Sequence, residues 1–507
     1  MHQINGCTID INANTSTTQS NSAGIVASNS STSVLTAGNN ANNLTISNCT
    51  VKGGYQGIII YGNTGGLNAV NNDITDCTVQ DFYSDGIVLN NNNGGYIHNN
   101  NIHRSNRVTV TTFTGIELGA GCRNMLVDGN RIHDTHNSAS TLTGSVNGIS
   151  MASCDAPTAE ENLIVNNLIY NFNGSTGTYY GIINTGSDGV FFYHNTIVLN
   201  NSTSASGTTR GFYQTTAATN IKLNNNIFYV TRAGTGTKHC LYFGTTTSTI
   251  LSNNNVLYIN APGATTAGVG SFGTANSANL AAWQLANTGT YDLQSNEVDP
   301  IFVNPLGGDF TPSSSAVNDF GVPVGVNTDI LNTARSLTSP DPGAYEFSLL
   351  GTDAEITWVS PAAPFSLGLQ PIIVDITNQQ AQTISSVNLS YDDGTTIQTE
   401  NFSGLSIAPT TTQQLTFTTQ YNLNSTVKIR AYINSVNGTT DAFQGNDTTD
   451  YQFLCFPMSG AYTINSALPT GSGNFNTFND AVDAMVCAGI TGAVTFNVNA
   501  SSGPYNE

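Results

Sequence analysis

Histidine and arginine, the side chains best suited to proton transfer or to binding a carboxylate, are concentrated in one short part of this chain. Its 507 residues include only 12 lysines and arginines and 7 histidines. One segment holds a large share of them: His98, His103, Arg104, Arg107, Arg123, Arg131, His133 and His136. A polysaccharide lyase needs a base to remove the proton next to a uronate carboxylate and a cation to neutralise that carboxylate. His103 or His133 with Arg104 is therefore a candidate lyase site.

Carboxyl groups allow a second chemistry in the same region. A glycosidase needs two of them, about 6.5 to 9.5 Å apart if the enzyme inverts configuration. Glu117 could supply one, and Asp85 or Asp134 the other. The alternative is that all these side chains only cover a solvated sheet face. The candidate catalytic residues are His103, Arg104, Glu117, His133 and Asp134.

Other side chains could contact a ligand without doing chemistry. The candidates are Arg107, Tyr170, Tyr213 and Tyr242. A metal site built from His103, His133 and His136 has no third ligand at a fixed spacing. The sequence therefore indicates neither a metal nor a cofactor. Calcium is compatible with an acidic protein, but no motif indicates it.

A double repeat positions these side chains. A small polar residue, one variable residue and a β-branched aliphatic residue recur in copies that begin at Cys7, Cys49, Cys77, Asn100, Asn130, Asn167, Asn195, Asn225 and Asn254. A second phrase, usually glycine and an apolar residue, keeps step with the first at Gly24, Gly57, Gly86, Gly115, Gly148, Gly181, Gly211 and Cys240. A period of about 30 residues is typical of solenoids. The repeat predicts a right-handed parallel β-helix over residues 1–257, which resembles the pectate-lyase-like solenoids.

Successive coils stack at about 4.8 Å, so like residues lie above like. We expect the recurrent asparagines to form a buried ladder that includes the early cysteines as buried thiols, and the glycines to occupy corners with positive φ. His103 and His133 should stack on the outer face with Tyr170 next, and Arg104 should lie outside beside Asp134. Glu117 should point outward in a column filled in other coils by Val26, Ile59, Val88, Ser150, Ile183, Tyr213 and Tyr242.

The composition is acidic, polar and poor in charge. Charged residues make up 9% of the chain, and the net charge is −20. Such a surface disfavours nucleic acid and anionic membranes as partners. No stretch has the roughly 18 consecutive apolar residues of a membrane span. The residues after Met1 already read as a coil and not as a signal peptide, so we expect the natural N-terminus to lie upstream of this sequence.

From residue 258 the repeat lapses and other motifs follow. They include Ala278–Ala286 around Trp283, then Asp299–Pro305 and Asp341–Phe347. Residues 1–348 resemble secreted bacterial β-helix proteins, including the choice-of-anchor Q proteins, in which a short helix with tryptophan precedes a DPxFVxP-type segment and the domain ends at GAYEF. The segment Ser315–Asp319 departs from that family because it lacks a proline. We expect residues 258–348 to cap the end of the solenoid, where strand edges would otherwise be unpaired.

Two further units follow the solenoid. Alternating apolar runs and Asp-Gly or Asn-Gly turns predict an immunoglobulin-like sandwich at 349–455. With its ending near Asn446–Asp450, it resembles the CARDB adhesion modules of Bacteroidetes surface proteins. Residues 456–507 predict a helix capped by Thr477 and a first strand, the start of a second β-helix. Cys455 and Cys487 could form a bridge, and Cys122 and Cys154 could stack or be bridged.

These features together predict an all-β, modular protein, and the resemblances imply that it is secreted or attached to the cell surface. Its β-helix should bind an extracellular polysaccharide or surface glycan and serve adhesion or structural display. The alternative is a polysaccharide lyase or glycoside hydrolase that acts on an acidic polysaccharide. The sequence indicates no oligomeric state.

Overall fold

The structure is a computed structural model, which describes residues 2–11, 17, 22–38, 41–63, 69–136, 143–348, 353–361, 367–380, 382–500 and 503. The chain divides into two compact units. The first comprises Met1–Phe302, Phe310–Pro312 and Ala316–Phe347, and the second comprises Val303–Asp309, Ser313–Ser315 and Ser348–Glu507. Among the described residues, no helix is long and apolar enough to cross a membrane.

Three parallel sheets form the walls of the first unit, and successive coils add one strand to each. Sheet 1 contains His2–Asn5, Leu44–Ser47, Asp73–Thr75, Tyr96–His98, Leu126–Asp128, Asn162–Val165, Val190–Tyr193, Ile221–Asn224 and Ile250–Asn253. Sheet 2 contains Thr8–Ile11, Thr50–Gly53, Thr78–Gln80, Asn101–His103, Arg131–His133, Leu168–Ile169, Thr196–Leu199, Ile227–Val230 and Val256–Ile259. Sheet 3 contains Ala23–Ala27, Gln56–Tyr61, Asp85–Asn90, Phe113–Leu118, Val146–Ala152, Tyr179–Thr185, Thr209–Thr216, Thr237–Phe243 and Thr266–Phe272, followed by the antiparallel Ala275–Ser277. A short parallel pair joins Ala69–Val70 to Asn92–Asn93. This is the parallel β-helix that the repeat predicts.

A sharp corner joins each strand of sheet 1 to the following strand of sheet 2. Its first residue is left-handed, with φ from 51° to 64°, at Gly6, Asn48, Asp76, Asn99, Gly129, Asn166, His194, Asn225 and Asn254. Glycine and asparagine are the residues that adopt this conformation most readily. The next residue points inward and forms a ladder of Cys49, Cys77, Asn100, Asn130, Asn167, Asn195, Asn226 and Asn255. Each ladder asparagine donates from Nδ2 to Oδ1 of the next at 2.9–3.0 Å.

The ladder confirms the sequence prediction up to Asn195 and corrects it by one residue in the next two coils. Asn225 and Asn254, which were predicted to be ladder residues, occupy the left-handed corner. Asn226 and Asn255 take the ladder positions, as the pairing of the adjoining strands requires. Two neighbouring asparagines suit either position, because the corner needs a residue that tolerates positive φ and the ladder needs an amide. The residue types alone therefore do not decide the register.

The recurrent glycines lie within the strands of sheet 3, and the prediction that they have positive φ is wrong. A Cβ atom at Gly115 would lie 2.5 Å from Cγ2 of Ile132 and 2.7 Å from the carbonyl oxygen of Gly148. Gly86 and Gly181 are enclosed in the same way. Glycine is required here because sheets 2 and 3 converge and leave no room for a side chain.

The cysteines follow the predictions with one exception. Cys49 and Cys77 are buried free thiols in the ladder, whereas Cys7 is exposed because no described coil covers its side of the solenoid. Cys122 and Cys154 are both buried and free. They are close neighbours without a bridge, and burial together with the Cys122 thiol raises the pKa of Cys154.

A short helix, Leu280–Gln284, closes the end of the solenoid and is followed by a 3-10 turn at Ala286–Thr288. Its Trp283 is fully buried and stacks on Tyr291 with 5.2 Å between ring centroids. The indole N–H donates to Oδ2 of Asp292 at 2.8 Å. Oδ1 of Asp292 accepts from Nδ2 of Asn255 at 3.0 Å, so this carboxylate ends the asparagine ladder.

The rest of the closing region does not only cap the end, as the sequence suggested, but folds back over the outer face of sheet 2. Phe310, Ile330 and Tyr345 pack against Leu168 and Val198 of that sheet. Long-range packing of this kind leaves no local sequence signal. The remaining elements of the closing region are the strands Phe302–Asn304 and Asp309–Pro312 and a 3-10 turn at Pro305–Gly307. Sheet 2 is therefore covered from the coil of Leu168 onward.

Residues 354–454 of the second unit form a small antiparallel sandwich, in agreement with the immunoglobulin-like prediction. One sheet contains Ala354–Ser360, Ile373–Asn378 and Thr412–Thr416, and a second contains Ile397–Ile407, Ile384–Asp392, Val427–Val436 and Gln452–Leu454. Gly368–Gln370 pairs with Tyr421–Leu423, and a 3-10 turn spans Gln444–Asn446. A single apolar core lies between these strands.

The last part of the second unit has parallel pairing, as at the start of a β-helix. Met458–Ile464 pairs in parallel with Asn474–Phe475 and with Ile490–Val498. The helix Phe478–Ala488 lies between these strands in the chain, and the Thr477 side chain caps it by accepting from the N–H of Asp480 at 3.0 Å. A disulfide joins Cys455 to Cys487. The predicted cap and bridge are both confirmed.

Candidate functional site

A row of rings runs along the uncovered part of the outer face of sheet 2. His103 and His133 lie in register on adjacent strands, with ring centroids 5.2 Å apart and planes 16° apart. Tyr170 continues the row 4.7 Å from His133. These contacts confirm the predicted stack. Tyr170 lies against Phe310 of the closing region, 4.8 Å away, so the row ends under that segment and Tyr170 is half-buried.

Hydrogen bonds leave only one of these two histidines available as a base. His133 has Nδ1 2.7 Å from Oδ2 of Asp134 and Nε2 2.7 Å from Oδ1 of Asn101. Both ring nitrogens of His133 are therefore engaged in hydrogen bonds. His103 has Nδ1 2.9 Å from the hydroxyl of Ser105, and its Nε2 has no hydrogen bond within the described ranges. Burial, and then the charge of His133, lower the pKa of His103, which favours the neutral ring that a base requires.

Arg104 is not on the outer face, which corrects the sequence prediction. Its backbone N–H donates to the carbonyl oxygen of Asp134, as the predicted register requires, but its side chain is fully buried. Nε donates to the carbonyl oxygen of Thr135 at 2.5 Å, and Nη1 to those of Tyr83 and Thr112 at 2.5 and 2.8 Å. Burial lowers the pKa of Arg104 to about 9. The guanidinium holds a loop together, because its planar set of donors matches the carbonyl groups that the loop turns inward.

Arg107 is also largely committed to the backbone. Its Nη1 donates to the carbonyl oxygens of Gly54 and Asp81, both at 3.0 Å. An outward-facing cation close to His133 is instead Arg131, two residues before it on the same strand. It forms no ion pair with any residue that the structure describes. The sequence analysis counted Arg131 in the basic segment but did not choose it as a candidate site residue.

Glu117 faces outward from sheet 3 in the predicted column, and the strand pairing confirms every member of it. Burial, and then the charge of Asp85, raise the pKa of Glu117 to about 7. Asp85 is itself buried, which raises its pKa as well. A glycosidase needs one carboxyl group protonated and the other ionised. Because both groups are shifted toward the neutral form, this pair does not provide that division.

The other predicted partner for Glu117 lies on a different sheet. Asp134 follows the sheet 2 strand and pairs with His133. Burial alone would raise the pKa of Asp134, but the hydrogen bond and charge of His133 lower it overall. His136 is buried, and its pKa falls to about 4 because of burial and the charge of Arg104. Within the described ranges, no set of three or more His, Cys, Asp or Glu side chains is arranged to hold a metal ion.

Further along sheet 3, three tyrosines surround an arginine. The centroids of Tyr180 and Tyr213 are 5.0 Å apart, and those of Tyr213 and Tyr242 are 5.4 Å apart. Cζ of Arg210 lies 3.5 Å from the ring centroid of Tyr242, 3.8 Å from that of Tyr213 and 5.5 Å from that of Tyr180. We refer to Tyr180, Arg210, Tyr213 and Tyr242 as the tyrosine–arginine cluster. The sequence identified Tyr213 and Tyr242 but neither Tyr180 nor Arg210.

The missed residues share a position that could have been found from the repeat. The residue before each glycine phrase also faces outward, because the glycine and the apolar residue after it both point inward. This second outward column contains Gln56, Asp85, Thr114, Asn147, Tyr180, Arg210 and His239. Four buried polar atoms of the column have no hydrogen-bond partner in the part of the chain described: Oε1 of Gln56, Oδ1 of Asn147, Nε of Arg210 and Nδ1 of His239.

One comparison with known proteins supports the fold. The family model described as "Right handed beta helix region" matches residues 2–197. The match agrees with the right-handed parallel β-helix predicted from the repeat, and it covers the histidine row and Glu117. Arg210, Tyr213 and Tyr242 lie beyond it. A search of curated proteins found no match.

Proposed function

We propose that this protein is a secreted or surface-attached β-helix protein that binds an acidic extracellular polysaccharide at the tyrosine–arginine cluster on sheet 3. Arg210 supports the proposal most directly. It lies among three half-exposed tyrosines and has no acidic partner within the described ranges, although the chain as a whole carries a net charge of −20. In such an acidic protein, an unpaired cation on a flat outer face suits an anionic ligand.

The cluster has the two kinds of group that recognition of a uronate chain requires. Tyrosine rings present flat, weakly negative faces to the C–H groups of a sugar. A guanidinium can bind a carboxylate through two parallel hydrogen bonds. Because the tyrosines stand on successive coils about 4.8 Å apart, they can follow a chain that runs along the solenoid axis.

Substitution of Arg210 tests the proposal. Binding of oligogalacturonate to the full chain is measured by calorimetry, and Arg210→Ala should weaken it about tenfold or more, since hydrogen bonds to charged groups contribute about 1.5–3 kcal/mol. Raising the salt concentration should also weaken binding to the unaltered protein. The matched control is Lys222→Ala, which removes another cation–ring contact, 4.1 Å from Phe191, on sheet 1. Equal affinity in the unaltered protein and Arg210→Ala would show that the cluster is not the site.

A second candidate function, polysaccharide lyase activity, is favoured by the free Nε2 of His103. We propose His103 as the base and Arg131 as the cation that neutralises the uronate carboxylate, both on the uncovered part of sheet 2. Formation of unsaturated product would be followed by ultraviolet absorbance. His103→Gln should abolish turnover while leaving binding at the tyrosine–arginine cluster intact. Absence of product from the unaltered protein with polyuronates would overturn the proposal of lyase activity.

A further inference from the structure

A groove of about 470 Å³ runs along the outer face of sheet 1, away from both sites described above. Its floor is one outward column of four successive strands, in which Asp73, Tyr96, Leu126 and Leu163 are paired in register. The Tyr96 side chain is 50% exposed. An exposed ring next to two leucines gives this floor an apolar surface bounded by a carboxyl group.

The wall of the groove is the column at the corner that precedes sheet 1. Backbone hydrogen bonds align Asn71, Gly94, Asn124 and Glu161 on successive coils. Asn71, Gly94 and Asn124 are left-handed, with φ of 53°, 71° and 54°. Gly94 is the one member of this wall without a side chain. A Cβ atom there would lie 2.8 Å from Oδ1 of Asn71 and 3.7 Å from Nδ2 of Asn124. Gly94 therefore presents only its backbone to the groove between the amides of Asn71 and Asn124, and we refer to this low point of the wall as the notch.

The charges in the groove define the ligand class. Its lining holds two carboxyl groups, Asp73 and Glu161, and two amides, Asn71 and Asn124, with no arginine, lysine or histidine in the lining. Carboxylates and amide oxygens accept hydrogen bonds from hydroxyl groups. The same carboxylates repel an anionic ligand, so the groove selects against the uronate chains that suit Arg210. A ring above an apolar floor suits the C–H face of a pyranose.

We propose that this groove is a second glycan site, which takes an uncharged pyranose oligosaccharide lying along the solenoid axis. The ring of Tyr96 packs against one sugar face, and the notch at Gly94 admits the sugar edge. Asp73 and Glu161 accept hydrogen bonds from hydroxyl groups at the two ends of the groove. Four coils at about 4.8 Å span roughly 14 Å, enough for several sugar units. The proposal does not rest on the function proposed for sheet 3.

Filling the notch tests this proposal, and the fold can accept the change because the close neighbour of an added Cβ is the end of the Asn71 side chain, which can rotate away. Gly94→Asn places in the notch a residue that accepts the left-handed conformation and already stands on either side of it at Asn71 and Asn124. The matched control is Gly129→Asn, another left-handed glycine with φ of 64° and no atom within 3.8 Å of an added Cβ. Tyr96→Ala provides an independent variant, because half of that side chain is exposed in the folded protein.

The assay is calorimetric titration of the full chain with cellohexaose, mannohexaose and maltohexaose as neutral probes and hexagalacturonate as the acidic probe. We expect at least one neutral probe to bind, and Gly94→Asn and Tyr96→Ala each to weaken that binding about tenfold or more. Gly129→Asn and Tyr213→Ala should leave it unchanged. Failure of every neutral probe to bind would overturn the proposal, as would unaltered binding in both groove variants. Loss of hexagalacturonate binding in Tyr96→Ala would overturn the charge argument.

Discussion

Replacing Asn167 by leucine should destabilise the solenoid, because this side chain is fully buried and joins two neighbours of the ladder. Its Nδ2 donates to Oδ1 of Asn195 at 2.9 Å and to the carbonyl oxygen of Val127 at 3.0 Å. Its Oδ1 accepts from the backbone N–H of Asn130 at 3.1 Å and from the amide of the same residue at 2.9 Å. Leucine has a similar volume but makes none of these four bonds.

The cost can be estimated from the groups that are left behind. The amide of Asn130 keeps the carbonyl oxygen of Ile97 at 2.8 Å, and Oδ1 of Asn195 keeps the backbone N–H of residue 167 at 3.0 Å. The backbone N–H of Asn130 loses the acceptor of its described hydrogen bond and stays buried. An unsatisfied buried donor costs about 1–3 kcal/mol, and each further lost bond about 0.5–1.5 kcal/mol. Allowing for the apolar burial that leucine adds, we expect a loss of about 2–5 kcal/mol of unfolding free energy.

Urea denaturation followed by circular dichroism would measure this loss as a shift in midpoint. The matched control is Asn147→Leu, the same substitution at a half-exposed outward position of sheet 3 in an adjoining coil. Its side chain has an unpaired Oδ1, so the change should stay within about 0.5 kcal/mol. Equal midpoints for the two variants would refute the assignment of Asn167 to a hydrogen-bonded ladder.

Two further predictions concern sheet 3. Gly115→Ala should lower the free energy of unfolding by about 1–3 kcal/mol or more, because the added methyl group overpacks against Ile132. The control is Gly6→Ala, at a positive φ with open space around it, which should cost less in the same denaturation assay. The reverse order would mean that backbone conformation, and not lack of space, selects the repeated glycines. Glu117→Gln should remove a pH dependence, because ionisation of a carboxyl group whose pKa is raised from 4.5 to about 7 disfavours the folded state. The unaltered protein should therefore lose stability relative to Glu117→Gln as the pH rises from 4.5 to 7, and the difference between the two proteins should be constant above that range. If the denaturation midpoints of the two proteins differed by the same amount at every pH, the burial of Glu117 would be contradicted.

The fold was predictable because its signal is repeated. A parallel solenoid places each residue above its counterpart, so every coil restates the same steric and hydrogen-bonding requirements. The column of Glu117 and the stack of His103 on His133 follow from counting positions within the repeat. The ambiguity lies where two adjacent residues meet the same requirement, as Asn225 and Asn226 do, and only the three-dimensional corner separates them.

The candidate site was less predictable because it depends on loops and distant segments. Arg104 has the outward periodicity of a site residue, yet the carbonyl groups of a returning loop enclose its guanidinium. Tyr170 should be accessible by its place in the column, but Phe310 lies more than a hundred residues away in sequence and covers it. Neither contact leaves a local pattern. The cluster around Arg210 could have been found from the sequence, because Tyr180 and Arg210 both occupy the outward position one residue before the recurrent glycine.

The side-chain amides of the asparagine ladder give the interior of the solenoid a net dipole along its axis. From Asn100 to Asn255 every carboxamide donates toward the next coil and accepts from the previous one, so the amide dipoles point the same way. Aligned hydrogen bonds polarise one another and strengthen together. The row therefore carries partial positive charge at its final N–H, where Asp292 places a carboxylate. Like an acid at the N-terminus of an α-helix, Asp292 compensates a summed dipole, and it does so for a column of side chains instead of a backbone.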